Sequence, residues 1–585
     1  MCGIWFYLKR SIHKLDTLKI YRLRSSFNKI KNRGPDFSEF KKISYNNSIR
    51  AIAGFHRLAI MDTSSIANQP FVSINNLYEI YVVCNGEIYN HLELIRDHDL
   101  HPKSHSDCEV ILELYKKYRD VDKITSLLNG EFSFIIWERN LELKKTSLFA
   151  ATDPVSVRPL FIGYQDNEFD HPDIIFSSEM KGLECCNRVE RFKPGHIYKL
   201  SYNEKEIERV HYEKAFYIEY YPYYEFKYPQ YLPKQFGPTN TEVYFEDLNI
   251  YEEIVNRLSN AVKKRIQSDR PIGCLLSGGL DSSLVACLLA KHMKEIDFRK
   301  EINFFSIGNL DAPDIVNAIK VFDHIRKTIN SNIKHHIFDI TFAEALQTIP
   351  EVIKAIETYD ITTIRASTWQ YLLAKKISET TDIKVILNGD GADEIEMGYQ
   401  YFKNAPNPEE AQKETEKLLK EIHLYDGLRV DRAISYHGLE ARVPFLDVEF
   451  FDYYMKIPAK LKMPFKGMEK YLIRRAFEVV MPNLLCSEVL WRPKEAFSDG
   501  ISKKTKSWFE IIQDYVEEII TTQEYINESY KYAHLRPVSK ESYWYRRVFE
   551  NYYPNRDNVI SHFWLPNWCG DIKEPSARVL TVYKQ

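Results

Sequence analysis

The first residue able to do chemistry is Cys2, which follows the initiator methionine. Once Met1 is removed, Cys2 carries a thiol and a free α-amino group on the same residue. The pKa of an α-amine is near ~8 and that of a thiol near ~8.5, so the amine can accept the thiol proton directly or through one water. Cys2 therefore predicts a nucleophile that hydrolyses an amide through a thioester. A chance cysteine at an exposed start is the alternative for Cys2 alone, and the remaining motifs argue against it.

A second reactive segment, Ser-Gly-Gly-Leu-Asp-Ser-Ser at 277–283, follows an apolar run at 272–276. Glycines let the backbone approach a ligand closely, a helix N-terminus offers unpaired N–H groups, and hydroxyls add donors. The segment lacks the lysine of the Walker phosphate-binding motif. It predicts an anion cradle, resembles the loop that holds pyrophosphate in ATP pyrophosphatases, and offers Asp281 as a magnesium ligand. A simple glycine turn between a strand and a helix is the alternative.

Two further segments place charged groups beside glycines or proline. The loop 388–394 carries three carboxylates and is followed by Tyr399, and carboxylates after a parallel strand lie at the ligand edge of the sheet. They could hold a second magnesium ion, while a calcium loop or a solvated turn is the alternative. Arg492 and Lys494 precede the segment 497–500 and suit a phosphate or an anionic intermediate. An ordinary surface position is the alternative for Lys494.

The elements that must position Cys2 are short strands and turns within residues 1 to about 200. Apolar runs at 80–84, 132–137 and 174–176 are separated by Gly, Asn, Asp and Pro, and one clear helix is predicted around 108–118. This pattern predicts an α+β domain rich in antiparallel sheet.

The elements that must position the second and third segments alternate between helix and strand from about residue 246. Between them and the first domain, residues 202–241 are rich in Tyr and Pro without a helical or strand period, which predicts an inter-domain connector whose rings pack on a neighbour. The alternation predicts a doubly wound parallel sheet. From about Tyr425 the chain is predicted to be helical and to end in an aromatic-rich tail. The predicted segments are helices over 254–266 and 282–292, and strands over 271–276, 302–307 and 384–387.

Composition excludes several classes of function. The 585 residues are 44% hydrophobic and 28% charged, and 79 basic against 82 acidic residues give a net charge of −3. We therefore expect neither a nucleic-acid nor a membrane surface, and small molecules are the expected partners. The sequence has no apolar stretch of ~18 to 20 residues, and with Cys2 in place of a basic start we expect no signal peptide. Nine cysteines without zinc-type pairs indicate reduced thiols, so we expect a cytoplasmic protein.

The two halves together resemble the glutamine-dependent asparagine synthetases over nearly the whole chain. Blocks in the first half resemble the class II glutamine amidotransferases, which several families share. Blocks in the second half resemble asparagine synthetases specifically. The first set is 1–4, 33–36, 56–62, 85–91 and 106–109, and the second is 357–360, 362–367 and 438–447.

The resemblance implies a two-domain protein. An N-terminal nucleophile (Ntn) hydrolase-type α+β sandwich at 1–201, acting as glutaminase, would be joined by the connector 202–241 to an α/β domain at 242–585. That domain would contain a parallel sheet of the PP-loop ATP pyrophosphatase type. The resemblance also implies a homodimer that uses glutamine, aspartate and ATP with Mg²⁺.

The resemblance also implies roles in the glutaminase site. Cys2 would be the nucleophile, and Asn85 with the Gly86 N–H would form the oxyanion hole, where one donor contributes about 3 to 4 kcal/mol. Arg57 would pair with the α-carboxylate of glutamine, and two acidic residues would hold its α-ammonium group. The implied glutamine-binding residues are Arg57, Leu58, Ala59, Ile60, Met61, Asn85, Gly86, Glu87 and Asp107.

In the synthetase site, the resemblance places adenine between two strand ends and pyrophosphate on the 277–282 loop. Asp281 and Asp393 would hold magnesium, the carboxylate of Asp390 would assist formation of β-aspartyl-AMP, and Tyr399 and Lys494 would act on this acyl-adenylate. The implied ATP-binding residues are Leu276, Ser277, Gly278, Gly279, Asp281, Ser282, Ile307, Asn388 and Gly389.

Two positions depart from the family. Asp390 stands where the family has Glu, so its carboxylate is one methylene shorter, and we expect a change of rate rather than of reaction. Met397 stands where the family has Gly, which adds a side chain near Tyr399.

Two other functions remain open from the sequence alone. One is an ATP-dependent amide-forming enzyme for another acid, such as a β-lactam synthetase relative, although such relatives generally lack the N-terminal cysteine. The other is a weakened protein that binds a nucleotide or a partner. Sugar and purine amidotransferases fit poorly because they lack the 277–282 loop.

Overall fold

The computed structural model describes residues 1–10, 15–45, 48–167, 170–204, 216–228, 248–297, 299–494, 506–570, 572–573 and 575. The chain divides into two compact units. The first comprises Met1–Glu225, Ser268–Arg270 and Ser435–Leu439, and the second comprises Phe226–Gln267, Pro271–Ile434 and Glu440–Gln585.

The first unit contains two six-stranded antiparallel sheets. Their strand orders are β10-β8-β9-β1-β3-β2 and β12-β11-β7-β6-β5-β4. The strands are β1 Gly3–Leu8, β2 Phe37–Tyr45, β3 Ser48–Arg57, β4 Phe71–Ile74, β5 Tyr78–Ile88, β6 Gly130–Asn140, β7 Lys145–Thr152, β8 Phe161–Asn167, β9 Asp170–Ser177, β10 Arg188–Arg191, β11 His196–Asn203 and β12 Phe216–Pro222. The helices are α1 Thr17–Asn28, α2 His91–Asp97, α3 Val110–Tyr118 and α4 Val121–Leu127.

The two sheets pack face to face and are covered by helices. Phe6 of β1 and Val83 of β5, which lie in different sheets, belong to one buried apolar cluster. A second cluster joins the outer face of the second sheet to α3 and α4. On the outer face of the first sheet, the ring of Trp5 lies 6.1 Å from that of Phe27 in α1. Because β1 is buried on both faces, it is apolar throughout, and Cys2 stands immediately before this central strand.

The first unit contains the strands and the helix predicted from the sequence, together with three helices that were not predicted. The runs 80–84, 132–137 and 174–176 lie in β5, β6 and β9, and the predicted helix corresponds to α3 after a short 3₁₀ turn, Asp107–Glu109. The prediction of a single helix was wrong, because α1, α2 and α4 also form. Helix α1 buries only Leu23, Ser26 and Phe27, so its apolar period is too weak to be recognised.

The tyrosine-rich segment needs a second correction. Phe216–Pro222 is not irregular but forms β12, which pairs with β11 in antiparallel register. Tyrosines occupy both faces of this edge strand, which hides the strand period. The ring of Tyr220 does pack on a neighbour, 5.2 Å from Phe192. Residues 205–215 and 229–241 of the predicted connector lie outside the described residues.

The second unit is built around a five-stranded parallel sheet of order β15-β14-β13-β16-β17. The strands are β13 Ile272–Leu275, β14 Ile302–Ile307, β15 Ile333–Phe338, β16 Val385–Leu387 and β17 Glu440–Arg442. The helices are α5 Leu248–Lys264, α6 Leu280–Asp297, α7 Pro313–Thr328, α8 Phe342–Ile356, α9 Ile361–Thr380, α10 Ala392–Ile395, α11 Pro408–Glu421, α12 Asp426–Ser435, α13 Val448–Lys456, α14 Ala459–Lys462, α15 Tyr471–Val480, α16 Ser487–Leu490, α17 Trp508–Ile519, α18 Thr522–Glu528 and α19 Lys540–Tyr552.

The predicted parallel sheet is confirmed, with two strands that the sequence did not predict. Strand β15 contains His335 and His336, and β17 is the polar sequence Glu-Ala-Arg. The charges of β17 are tolerated in the buried sheet because Arg442 Nε donates to Glu440 Oε1 at 2.8 Å. In the described part of the chain, no helix has the length and apolar character needed to span a membrane.

The strand order explains where the second site forms. β13 lies between β14 and β16, and all three run in the same direction. Their carboxyl ends therefore meet at one edge of the sheet. The segments that follow Leu275, Ile307 and Leu387 are the ones predicted to bind the nucleotide.

Candidate active sites

Cys2 is anchored through its backbone at the start of β1. Its Sγ lies 3.6 Å from the Leu58 carbonyl oxygen, within hydrogen-bonding reach for a thiol donor. Its own carbonyl oxygen accepts from Arg33 Nε at 2.9 Å. Arg33 is fully buried, and its guanidinium is fixed by Glu179 at 3.0 Å. A buried ion pair therefore holds the backbone of Cys2, the predicted nucleophile, in place.

Asn85 presents an amide group that the protein itself does not use. The side chain lies on β5 and is fully buried, and neither Nδ2 nor Oδ1 has a hydrogen-bond partner among the described residues. A buried amide without a partner is costly, so such a group indicates a ligand. The next residue must be glycine, since a Cβ on Gly86 would lie 2.1 Å from the Glu131 carbonyl oxygen.

The predicted glutamine anchors are also ordered. Arg57 ends β3 and donates through Nη1 to the Ser64 carbonyl at 2.6 Å and to Asn68 Oδ1 at 2.7 Å, and through Nη2 to the Met61 carbonyl at 3.3 Å. Asp107 is buried and accepts from the Ile88 N–H at 2.6 Å, which holds it next to Glu87 on β5. The loop after Arg57, which contains Leu58, Ala59 and Ile60, is likewise buried.

We expect Asn85→Ala to lower the glutaminase rate by about 10²–10³-fold, the effect of losing one oxyanion donor. The melting temperature should not fall, because no protein hydrogen bond is lost with the amide. Steady-state glutaminase assays and thermal melting measure the two quantities on the same samples. A large fall in melting temperature would instead give Asn85 a structural role.

The second site is a cavity of about 280 Å³ at the carboxyl edge of the parallel sheet. The predicted residues that line it are Leu276, Ser277, Gly279, Asp281, Ser282, Ile307, Asn388, Gly389, Asp390, Asp393, Tyr399 and Lys494. Gly278 is not among the lining residues. The Asn388 Nδ2 is buried without a partner among the described residues, which is a second amide donor left for a ligand.

Glycines allow the two loops of this cavity to approach neighbouring backbone closely. Gly278 has φ +78°, and a Cβ there would lie 2.5 Å from both the Ala318 nitrogen and the Asp314 carbonyl oxygen. A Cβ on Gly389 would lie 2.7 Å from the Ser282 nitrogen. Gly279 differs, since a Cβ there would meet only Ser277 Oγ at 3.4 Å, an ordinary contact.

This difference separates a structural glycine from a ligand-facing one. Gly279→Ala should fold with an unchanged melting temperature and lose affinity for ATP by about tenfold or more, because the added methyl group faces the cavity. Gly278→Ala, the matched variant, should lose stability because its Cβ collides with backbone. For both variants, isothermal titration with Mg-ATP measures the affinity for ATP, and thermal melting measures the stability. Unchanged ATP affinity in Gly279→Ala would contradict the phosphate role of the loop.

Two lysines neutralise the carboxylates at the floor of the cavity. Lys470 is almost fully buried, and its Nζ lies 2.7 Å from each Asp281 oxygen and 2.7 Å from Asp393 Oδ1. Lys494 forms an ion pair with Asp393. Burial alone would raise the pKa of Asp393, but the two ammonium groups outweigh it and hold the pKa below its usual range. Asp281 and Asp393 therefore converge on one position that already attracts a cation.

A second group of charges surrounds Asp390. Its Oδ1 accepts from Arg429 Nη2 at 2.5 Å and its Oδ2 from Gln370 Nε2 at 3.0 Å. Burial raises the pKa of Asp390, although Arg429 opposes the shift. Arg429 also pairs with Asp426 at 3.0 Å. The Tyr399 hydroxyl lies 2.8 Å from Asp426 Oδ2, so these groups form one connected network.

Several residues of this cavity were not recognised in the sequence. They are Lys470, Arg429, Asp426 and Gln370. Each lies in or beside a helix where a polar residue is unremarkable. The backbone of Lys470 has a positive φ of 55°, which is unusual for a lysine. Its ammonium group lies between the two aspartates. Met397 also has a positive φ and packs with Tyr401 and Phe402 in an apolar cluster.

Comparison with known proteins agrees with this pair of sites. Residues 1–213 match the glutamine amidotransferase domain family. Residues 253–415 and 403–569 match the asparagine synthase family. A glutamine amidotransferase domain followed by an asparagine synthase domain defines the class of this protein.

Full-length relatives specify the family. The chain is 40% identical over 599 residues to the human protein named asparagine synthetase [glutamine-hydrolyzing], covering 100% of this chain and 99% of the relative. The proteins of that name from Mus musculus and Gallus gallus are each 40% identical, over 595 and 591 residues, again covering 100% of this chain and 99% of the relative. The chain belongs to the family of glutamine-hydrolysing asparagine synthetases.

Proposed function

We propose that the protein converts ATP, L-aspartate, L-glutamine and water to AMP, diphosphate, L-asparagine and L-glutamate. The observation that supports this most directly is the cavity where the 277–282 loop, the Asp281–Asp393 pair and the Tyr399 network meet. A nucleotide-sized anion cradle beside a buried network of opposite charges suits ATP together with a zwitterionic acid.

The first half-reaction is assigned to Cys2. After removal of Met1, the α-amine takes the thiol proton, and the thiolate attacks the side-chain amide carbon of glutamine. Ammonia leaves, and water then cleaves the thioester to release glutamate. The free amide of Asn85 and the Gly86 N–H stabilise the oxyanion, while Arg57, Glu87 and Asp107 hold the glutamine zwitterion.

The second half-reaction is assigned to the cavity of the second unit. The β-carboxylate of aspartate attacks the α-phosphorus of ATP, and diphosphate leaves on the 277–282 loop beside Lys494. Ammonia, passed internally from the first site, attacks the acyl carbon, and AMP leaves. Leu276 and Ile307 flank the adenine, and Asn388 and Gly389 complete the nucleotide pocket.

The residues present fit a magnesium ion bound together with ATP. Asp281 and Asp393 supply hard oxygen ligands and already share one cation, the Lys470 ammonium group. The described residues contain no cluster of three or more protein metal ligands, which agrees with an ion that completes its shell with phosphate oxygens and water. Magnesium would supply neutralisation of phosphate charge.

The finer features of the fold and assembly belong to the same proposal. We assign the first unit to the Ntn-hydrolase type and the second to the PP-loop ATP pyrophosphatase type, with domains at 1–201 and 242–585 and a connector at 202–241. The face-to-face sheets covered by helices support the first assignment, and the parallel sheet with its glycine loop supports the second. Nine free thiols support a cytoplasmic location, and we further propose a homodimer.

Product analysis with aspartate, Mg-ATP and glutamine tests the function. Asparagine, AMP and diphosphate should appear in equal amounts. Release of ADP and phosphate would contradict adenylation, and glutamate without asparagine would mean that the second site acts on another acid or is inactive. Ammonium chloride should replace glutamine as nitrogen donor.

A further inference from the structure

Residues 562–568, here called the strap, cross one side of the cavity in the second unit. The His562 carbonyl oxygen accepts from the Tyr425 hydroxyl at 2.9 Å. The Trp564 N–H donates to Asp360 Oδ1 at 2.9 Å, while the other oxygen of Asp360 caps α9 by accepting from the Thr363 N–H. The strap is therefore tied to the residues that immediately precede two helices lining the cavity, Tyr425 before α12 and Asp360 before α9.

Trp564 is the strap residue whose ring contacts Tyr399. Its ring lies 5.5 Å from Tyr399 and 6.3 Å from Tyr401, and both Trp564 and Pro566 line the cavity. Trp568 also packs on Tyr401, at 6.0 Å, and on Phe402, but it does not line the cavity. The two tryptophans thus share one strap and one aromatic cluster and differ in their access to the site.

The partner of Trp564 is a residue whose hydroxyl must be placed accurately. The Tyr399 oxygen lies 2.5 Å from Glu394 Oε1 and 2.8 Å from Asp426 Oδ2. The hydroxyl therefore contacts two carboxylates at once, and both fix its position. Shifting the Tyr399 ring would break this network.

The acid end of the cavity is the part lined by Asp390, Glu394, Tyr399, Asp426 and Arg429. We propose that Trp564 is a positioning residue that holds Tyr399 at the acid end and excludes water from the activated acid. The proposal rests on the function proposed above. Without the indole, water attacks the acyl carbon of the aspartyl-adenylate, the bond between the acyl carbon and the phosphate oxygen breaks, and AMP and free aspartate result. Trp564 therefore keeps ATP consumption coupled to amide formation.

The test measures the amounts of AMP and asparagine that form when ammonium is the nitrogen donor. In wild type the ratio of AMP to asparagine should be about one. In Trp564→Ala it should rise to about two or more, and KM for aspartate should rise about tenfold with the loss of the ring contact. Trp568→Ala is the matched control, since it removes the same side chain from the same strap. Trp564→Phe should restore most of the coupling.

Each outcome has a distinct meaning. A ratio of one and an unchanged KM in Trp564→Ala would overturn the proposal, as would equal changes in both tryptophan variants, which would show only a general loss of packing. If Trp564→Ala does not fold, Trp564→Leu is measured instead and judged by the same ratio. No asparagine from wild type would refute the proposed function rather than the role of Trp564.

Discussion

Replacing Cys2 by alanine should abolish asparagine synthesis from glutamine and leave synthesis from ammonium unchanged. The thiol is the group that forms the thioester, so its removal leaves only the weak catalysis of the oxyanion hole and of binding. Loss of a covalent nucleophile costs about 10⁴–10⁶-fold in kcat. The ammonium-dependent reaction is proposed to use residues of the second unit alone, such as Asp281 and Lys494, which line its cavity. Parallel assays with glutamine and with ammonium measure directly the ratio of the two rates of asparagine synthesis.

The control for this variant is another cysteine of the first unit. Cys185 is partly exposed, and alanine there should leave both reactions intact. Intact mass spectrometry of the wild-type protein should show loss of the initiator methionine, because the α-amine of Cys2 is needed as the base. An equal loss of activity with ammonium in Cys2→Ala would contradict two separate sites, and retained glutamine activity would remove Cys2 from the mechanism.

The parts of the fold that were predictable are those with local patterns. The strand β14 and the helix α6 have apolar runs of the right length and clear boundaries, so the sequence alone locates them. Strand β17 was missed because its three residues include two charges, and only the ion pair across Glu440 and Arg442 makes the segment compatible with a buried sheet. Strand β12 was missed because tyrosines occupy both of its faces.

The residues of the candidate sites also fall into those that the sequence identifies and those that it does not. Residues in compact motifs, such as the 277–282 loop, could be identified because the residue types and spacing of the motif indicate its chemistry. Lys470 and Arg429 could not, since each is a single basic residue without a motif around it. Lys470 is far in sequence from both aspartates it contacts, and Arg429 lies near Asp426 but far from Asp390. Trp564 lies in a segment with no repeating pattern, and only its contact with Tyr399 indicates a role. Such residues become visible only when the fold has brought them together.

Replacing Asp393 by asparagine should abolish asparagine synthesis from both nitrogen donors and leave glutaminase activity intact. Asparagine keeps the shape of the side chain but removes the charge that Lys470 and Lys494 share. With Asp281 as the remaining ligand, the magnesium concentration for half-maximal ATP–diphosphate exchange should rise at least tenfold, and the maximal rate should fall on the order of 10³-fold. Exchange of labelled diphosphate into ATP, measured across a magnesium titration, reports the adenylation step directly.

The charge network of the cavity makes this variant informative beyond a loss of activity. Lys470 keeps Asp281 as a partner, so the variant should remain folded, whereas removing both carboxylates would leave a buried ammonium group unpaired. Asp382→Asn, an exposed aspartate of the same unit, is the matched control and should retain full exchange. Loss of glutaminase activity in Asp393→Asn would indicate general unfolding. Full exchange in Asp393→Asn would show that Asp281 alone holds the metal, and the function of Asp393 would then be to fix the two lysines.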